Sequence, residues 1–374
     1  MTDALERWFA SGRFAQLNDV RVRPEPHPLL PRTPARIRRG QADVYPLRSP
    51  EGGAFMLKKF FGARCLDGSY LMRVPQLLPR TAGFAVGVQR ALLTPGALRA
   101  GPDLYSTHAL AMWLDDTVLM PRLSGGDWSA LADELRAGRR RLTAGQRRAL
   151  AATLAECVRQ LEAHDCSHRD LTAANVFVNP ATLGVELIDF DSLYHPSLAM
   201  PAGTTCGTPG YLAPFAYGAD RDPRTTWCRF ADRFALALLC AEILVVGPGA
   251  PWSEDGGLFD QAHLVQRSGP SITWARQQLR ATSAAAWAVF DRAIASASFA
   301  ACPAPGDWLA VVGASPGATV TTPPTPRLDD LPVPVIRDPA HFAPVVTLPP
   351  DPWSHDRSGQ LGRPAVLPRD SVAV

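Results

Sequence analysis

The sequence predicts an α+β protein whose first part is rich in strands and whose second part is helical. Between Ala35 and Phe61, short runs of β-branched and aromatic residues alternate with turn residues, which is typical of consecutive strands. From Thr143 onward, apolar residues recur at helical spacing instead. Of the 374 residues, 46% are apolar and 20% are charged, so the chain can build a packed core.

The first part is predicted to contain a helix, a linker and four strands. Ala4, Leu5, Trp8 and Phe9 have the spacing of a short amphipathic helix. The Pro- and Arg-rich residues 21–34 that follow are interpreted as a linker. Residues 68–102 are interpreted as helices and loops. The predicted strands are residues 35–37, 43–45, 55–61 and 117–120, with a turn at 49–53.

The second part is predicted to be mainly helical and to end in a disordered tail. Thr143 and Gln146 form a capping box that starts a helix. Two short strands, 176–178 and 185–188, precede a helix at 234–246 that is apolar on nearly every side. The last 62 residues hold 13 of the 36 prolines, which indicates disorder. The predicted units are residues 1–34, 35–123, 124–312 and 313–374.

Composition narrows the classes of partner and compartment. A net charge of +3 gives no global signal for nucleic acid. Seven scattered cysteines without a CxxC pair argue against a disulfide scaffold or zinc module and fit a reducing compartment. The longest apolar stretch is too short to span a bilayer, and the first residues do not resemble a signal peptide. We therefore expect a cytoplasmic protein without nucleic-acid or membrane partners.

Lysine is almost absent from this chain. Of 38 basic residues, only Lys58 and Lys59 are lysines, and the heavy use of Ala, Pro and Arg suggests a GC-rich genome. An ammonium group is a compact point charge, whereas a guanidinium group is a wide fork. These two lysines are therefore candidates for a role that arginine cannot fill.

The strongest chemical signal lies between residues 168 and 191. Residues 168–175 read HRDLTAAN, and residues 188–191 read IDFD. Phosphoryl transfer requires a carboxylate near the acceptor hydroxyl and hard oxygen ligands for Mg²⁺. Asp170 is the candidate for the hydroxyl. Asn175 and Asp189 are the candidate metal ligands, with Asp191 as a further one.

These motifs resemble those of the eukaryotic-type protein kinase superfamily, in its bacterial Ser/Thr form. Residues 207–214, GTPGYLAP, are similar to the end of the kinase activation segment, and residues 232–236, DRFAL, to the start of its large buried helix. The resemblance covers about residues 35–310. It implies a small β-rich N-lobe, a larger helical C-lobe, and ATP with Mg²⁺ or Mn²⁺. It also implies that Thr208 lies beside the catalytic Asp170 and that Asp232 anchors the loop backbone.

The same resemblance assigns a nucleotide site to the first part of the chain. Lys58 would hold the α- and β-phosphates, with Lys59 as the alternative register. Met120 would be the gatekeeper and residues 121–123 the adenine-facing hinge. The residues predicted to bind the nucleotide are Gly40, Ala42, Val44, Lys58, Met120, Arg122, Leu123 and Asp127.

Several positions depart from the family pattern. Kinases pair the nucleotide lysine with a glutamate, but residues 68–102 contain no Asp or Glu, so Gln76 or Gln89 is the expected substitute. Asp191 stands where the family has glycine. A usual glutamate and its arginine partner are replaced by Phe215 and Cys302, which predicts an apolar contact in place of a buried ion pair.

The sequence thus predicts an ATP-dependent Ser/Thr protein kinase acting on a protein substrate. Arg169 is a candidate to bind a phosphate on Ser192, Thr204 or Thr205. The Pro-rich tail is a candidate site for a partner. Two alternatives stay open: a pseudokinase that serves as a nucleotide-binding scaffold, and a small-molecule kinase of related fold.

Overall fold

The computed structural model describes residues 4–38, 42–60, 67–179, 182–202, 204–217 and 222–313. They form an α+β structure around a curled antiparallel sheet. The strands of this sheet are β1 (Ala15–Leu17), β2 (Val20–Pro24), β3 (Ile37–Arg38), β4 (Ala42–Arg48), β5 (Ala54–Phe60), β6 (Ala91–Leu93), β7 (Leu98–Arg99) and β8 (Thr117–Pro121). Their order is β6-β8-β5-β4-β2-β1-β7. Strand β3 pairs with the first half of β4, and β2 pairs with the last residues of β4.

The second part of the chain contains more of the described helices than the first part, and the helices at 108–114 and 128–136 were not predicted from the sequence. Those in the first part are α1 (Ala4–Ser11), α2 (Gly68–Leu77), α3 (Ala85–Gln89) and α4 (His108–Leu114). The later helices are α5 (Trp128–Arg136), α6 (Ala144–Ala163), α7 (Arg233–Val245), α8 (Gln261–Gln266), α9 (Pro270–Thr282), α10 (Ala284–Ala295) and α11 (Pro305–Gly313). A small second sheet has the order β11-β10-β9. Its strands are β9 (Gly126–Asp127), β10 (Val176–Val178) and β11 (Val185–Leu187).

The two faces of the large sheet bury different sets of side chains. Lys58 of β5 pairs with Val44 on one neighbour and with Val118 on the other. Because side chains alternate across a strand, this row lies on one face, and the adjacent row of Tyr45, Leu57 and Leu119 lies on the other. The second row packs in the same apolar cluster as residues of α1 and α4. The face that carries Lys58 is thereby turned toward the helical part, and Val118 joins its core.

The N-terminal segment belongs to this sheet. The predicted helix is confirmed as α1, but the interpretation of residues 21–34 as a linker is wrong for its first residues, because Val20–Pro24 is a strand paired with β1 and β4. Side chains at alternate positions, such as Val22, enter the core. Burial and cross-strand pairing outweigh the local signal of proline and arginine. Likewise, the stretch 68–102 contains two strands, β6 and β7, which the sequence did not predict.

The helical part is built around α7, whose inward residues are fully buried. Helices α6, α9, α10 and α11 pack around it. The predicted capping box is confirmed: Thr143 accepts from the Gln146 amide, and the Gln146 side chain accepts from the Thr143 amide. The paired strands predicted at 176–178 and 185–188 are confirmed as β10 and β11, with Leu187 as the last strand residue.

The predicted unit boundary at 123–124 falls between β8 and β9, and the predicted tail lies outside the described residues except for Gly313, the end of α11. In the part of the chain that the structure describes, none of the helices combines the length and the apolar character needed to cross a bilayer.

Replacing Trp8 by alanine should destabilise the whole fold, because the N-terminal helix is part of the core. The Trp8 side chain is fully buried and its indole donates to the Arg13 carbonyl at 3.1 Å. Removing a buried tryptophan costs about 3–5 kcal/mol. Chemical denaturation should show a loss of this size, whereas the exposed neighbour Arg7→Ala should leave the free energy of unfolding nearly unchanged. Equal stability of wild type and Trp8→Ala would contradict this assignment.

Candidate functional site

The loop with the HRDLTAAN motif connects α6 to β10 and is held by a buried carboxylate. Asp232, the residue before α7, accepts hydrogen bonds from the amides of His168 at 2.6 Å and Arg169 at 2.8 Å. Arg169 has a φ of 65°, a left-handed conformation that non-glycine residues adopt rarely. Burial raises the pKa of Asp232, and the two amide hydrogen bonds oppose that rise. The predicted anchoring contact is therefore present in the geometry.

The loop is also tied to the end of β11. A ring nitrogen of His168 lies 2.7 Å from the Ile188 carbonyl, and the imidazole packs against Phe190 with ring centroids 4.9 Å apart. The Ile188 amide donates to the Asn175 carbonyl at 3.1 Å. As a result, Asn175 and Asp189 occupy neighbouring positions at the same end of the small sheet.

Asp170 contacts two of the other predicted site residues. Its Oδ1 accepts a hydrogen bond from the Thr208 hydroxyl at 2.6 Å, across 38 residues of sequence. The Asn175 side-chain amide donates to the Asp170 carbonyl at 2.8 Å. Gly207 precedes Thr208 with a φ of 125°, and a Cβ there would lie 3.3 Å from the Arg169 carbonyl. This close approach brings the segment 207–214 against the loop.

Lys58 reaches the same region from the large sheet. Its Nζ lies 2.7 Å from Asp189 Oδ1 and 2.5 Å from Asp191 Oδ2. The second oxygen of Asp191 receives Arg90 Nη2 at 2.6 Å. Burial alone would lower the pKa of Lys58, but the two carboxylates outweigh it and raise that pKa. Burial opposes ionisation of Asp191, yet Lys58 and Arg90 hold its pKa well below the usual range.

The structure also distinguishes Lys58 from Lys59. Adjacent residues in a strand point to opposite faces, so only one of the two lysines can face the loop. Lys59 donates to the Asp115 carbonyl at 2.6 Å and lies 5.9 Å from the centre of the Trp113 ring, on the far face of the sheet. Lys58 is therefore the lysine on the face of Asp170 and Asp189.

The predicted metal ligands differ in their surroundings. The Asp189 side chain is 39% exposed, whereas that of Asp191 is 11% exposed and has a cation on each oxygen. Asn175 uses its amide NH₂ as a donor to Asp170, which leaves its carbonyl oxygen for a hard cation. Among the described residues, no three His, Cys, Asp or Glu side chains are grouped as a metal site. Asp189 and Asn175 fit Mg²⁺ as two oxygen ligands completed by water and substrate phosphate, the usual pattern for this ion.

Several predicted nucleotide contacts lie on the Lys58 face of the sheet. Ala42 and Val44 are on β4, and Met120 is on β8 opposite Met56, all in alternate positions that share this face. Val44 and Met120 are partly exposed, which leaves them accessible to a ligand. Gly40 lies outside the described residues.

The remaining hinge residues have partners within the protein. The Arg122 amide donates to the Ala54 carbonyl at 3.0 Å, and its side chain pairs with Glu25 at 2.7 Å. Asp127 caps α5 by accepting from the Ala130 amide at 2.9 Å. Leu123 is half-buried between β8 and β9. An adenine or ribose contact by these three residues stays a prediction.

The Arg169 side chain is surrounded by backbone carbonyls. Its guanidinium donates to the carbonyl and hydroxyl of Thr226 at 2.8 and 2.6 Å, and to the carbonyls of Ser192 at 3.2 Å and Thr205 at 3.1 Å. These bonds connect the segment after Asp191 to the loop with no phosphate involved. The predicted phosphate contact would have to displace some of them.

Sequence reasoning missed two groups near the site. Arg90 follows α3 in a stretch without acids, and its only signal was that this region carries positive charge and no negative charge. Glu242 is an acid inside the apolar helix α7. It is fully buried and accepts from the Leu258 amide at 2.6 Å, the Trp128 indole at 3.1 Å and the Tyr211 hydroxyl at 3.3 Å. Burial raises its pKa to about 7.

Comparison of the chain with models of known protein families and with curated proteins finds no match in either.

Glu242 should make the stability of the protein depend on pH. Its pKa is about 7 in the folded chain and about 4.3 in an unfolded chain. Between these values the folded state holds an extra proton, so the free energy of unfolding falls as pH rises through this window. Glu242→Gln cannot take up that proton.

Denaturation of wild type and Glu242→Gln at a series of pH values isolates this effect. The stability of wild type relative to the variant should decrease from about pH 4.3 to about pH 7 and then level off. Glu186, whose pKa burial also raises to about 7, is present in both proteins and cancels. A difference that does not change with pH would contradict the assignment.

Proposed function

We propose that this chain is an ATP-dependent Ser/Thr protein kinase with the two-lobed kinase fold. The large sheet would be the N-lobe, which would comprise the predicted residues 35–123 together with strands β1 and β2. Residues 124–312 would be the helical C-lobe. The observation that carries the proposal is the convergence of motifs that are far apart in sequence. At the junction of the large sheet and the loop, Lys58 contacts Asp189 and Thr208 contacts Asp170. Asn175 connects the two pairs, because it donates to the Asp170 carbonyl and accepts from the amide of Ile188, the residue before Asp189.

Each residue has a role that its surroundings support. Asp170 is partly exposed and would orient the acceptor hydroxyl and take its proton. Lys58 would hold the α- and β-phosphates of ATP in place. Asp189 and Asn175 would hold Mg²⁺, which supplies positive charge to the phosphate oxygens. The γ-phosphorus forms a bond to the acceptor oxygen as its bond to the β–γ bridging oxygen breaks, and ADP leaves.

The segment 207–214 favours a protein acceptor. Its Thr208 donates to the carboxylate of Asp170, and its Tyr211 is anchored in the core beside Glu242. This arrangement holds a turn of the chain next to the candidate catalytic carboxylate, where it would support a peptide. A small-molecule kinase has no need for such a platform.

Transfer of labelled phosphate from ATP tests the proposed activity. We expect wild type to label itself or a generic protein acceptor with Mg²⁺ or Mn²⁺. Asp170→Ala should lower the rate by about 10²-fold or more, as expected for loss of general base and orientation. Asp189→Ala should abolish transfer through loss of the metal ligand. Asp165→Asn is a matched control, because Asp165 is exposed and its side chain pairs with Arg229 on the surface.

Two results would contradict this proposal. Labelling that persists in both Asp170→Ala and Asp189→Ala would assign the activity elsewhere. No labelling by wild type, with ATP still raising the melting temperature, would favour a nucleotide-binding pseudokinase.

Removing the Thr208 hydroxyl should slow transfer to protein. Thr208→Val keeps the side-chain volume but removes the hydrogen bond to Asp170 Oδ1. A hydrogen bond to a charged group contributes about 1.5–3 kcal/mol, so we expect kcat to fall by about 10- to 100-fold. Thr208→Ser keeps the donor and should retain most of the rate. Equal rates for the valine and serine variants would argue against a role for this contact.

A further inference from the structure

Asp191 is enclosed between two cations. Lys58 Nζ lies 2.5 Å from its Oδ2, and Arg90 Nη2 lies 2.6 Å from its Oδ1. The three side chains are almost fully buried, with exposed fractions of 11% for Asp191, 11% for Lys58 and 6% for Arg90. Buried charges are tolerated when they are paired at such distances. The carboxylate therefore has a partner on each oxygen.

These surroundings suit a charge partner better than a metal ligand. A divalent cation at Asp191 would lie within a few ångströms of two fixed positive charges and would be repelled by both. Asp189 differs, because it contacts one cation and is 39% exposed toward solvent. The metal role thus falls to Asp189, and the role of Asp191 lies in its contacts with Lys58 and Arg90.

In protein kinases, the partner of the nucleotide lysine is a glutamate, and no described helix near Lys58 supplies one here. Helices α2 and α3 contain no acidic residue. Instead, α2 contacts the segment after Asp191 through Tyr70, whose hydroxyl donates to the Leu193 carbonyl at 2.7 Å. Gln76 and Gln89, the substitutes expected from the sequence, are not needed, since Lys58 already has two carboxylates.

Arg90 is placed by the same sheet that places Lys58. It lies directly before β6, whose Leu92 pairs with Val118 of β8, and Val118 pairs with Lys58. Arg90 is two residues before Leu92 and therefore shares the face of Lys58. Its Nε is buried without a hydrogen-bond partner among the described residues, and its Nη2 pairs with the Asp191 carboxylate.

We propose that Asp191, clamped by Arg90, is the positioning residue that holds Lys58 in its working orientation, in place of the helix glutamate of kinases. The kinetic consequences rest on the proposed function, whereas the contact itself does not. One loop then carries both the metal ligand Asp189 and the partner of Lys58, so the spacing between lysine and metal is set by residues 189–191 and not by the position of α2.

The scarcity of lysine allows a direct test of the contact. Lysine labelled with ¹³C at Cε gives side-chain NMR signals from only Lys58 and Lys59, and Lys59→Arg assigns them. In Asp191→Asn we expect the Lys58 signal to shift, because its Nζ loses the carboxylate that lies 2.5 Å away. The Lys59 signal, on the opposite face, should stay unchanged. This measurement is independent of any enzymatic activity.

Kinetics test the role of the contact. Asp191→Asn should lower kcat/KM for ATP by about 10- to 100-fold, which corresponds to one hydrogen bond to a charged group. Arg90→Gln should cause a loss in the same direction. Excess Mg²⁺ should not restore the rate of Asp191→Asn, because the defect lies in Lys58. Asp165→Asn again serves as the surface control.

Three outcomes would overturn the proposal. They are an unchanged Lys58 signal in Asp191→Asn, a wild-type value of kcat/KM for that variant, and full recovery of its rate by Mg²⁺. If Asp191→Asn does not fold, the double variant Asp191→Asn with Arg90→Met removes both members of the Asp191–Arg90 pair and avoids an unpaired buried charge. A wild type without phosphate transfer would refute the proposed function, and the NMR result would still decide whether Asp191 holds Lys58.

Discussion

The buried carboxylate of Asp232 is the contact on which the geometry of the candidate site depends. It accepts the amides of His168 and Arg169, and the second of these residues is in a left-handed conformation. Without that acceptor, two buried amides would lose their partner, at about 1–3 kcal/mol each. Asp170 and Asn175 follow in the same loop, so the contacts of Asp232 also determine where these two residues lie. Because Asp232 adjoins the buried helix α7, the anchor itself is rigid.

Two buried carboxyl groups, Asp191 in the site and Glu242 in the core beside it, differ in their pKa because their neighbours differ in charge. Asp191 is buried between Lys58 and Arg90, and their positive charges keep it ionised. Glu242 is buried among neutral donors, an indole, an amide and a hydroxyl, so burial raises its pKa to about 7. Whether a buried carboxyl is charged is therefore decided by the charge of its neighbours and not by burial alone.

The apolar surroundings that the sequence predicted for Phe215 and Cys302 are present. Phe215 packs edge-on against Phe299, with ring centroids 4.8 Å apart, and lies 6.4 Å from Phe234. Cys302 is buried in the same core. Such an aromatic pair contributes about 0.5–1.5 kcal/mol beyond its buried area. The aromatic partner of Phe215 is therefore Phe299, three residues before Cys302.

The sequence by itself determined the features that rest on local interactions or on contiguous motifs. Neighbouring residues in the sequence were enough to predict the capping box of α6 and the β10–β11 hairpin. They were also enough to identify the candidate site residues Asp170, Asn175, Asp189 and Thr208. The strand β2 was not, because its proline and arginine content favours a loop until the sheet buries Val22.

The choice of Lys58 over Lys59 and the pairing of Lys58 and Arg90 with Asp191 required the tertiary structure. A shift of one residue in the register of β5 would exchange the two lysines between the faces of the sheet, and the local sequence is compatible with either. Arg90 and Asp191 are 101 residues apart in the chain. Their contact exists only because cross-strand pairing brings β6 beside the strands that face the 189–191 loop, and no local pattern of residues encodes that distance.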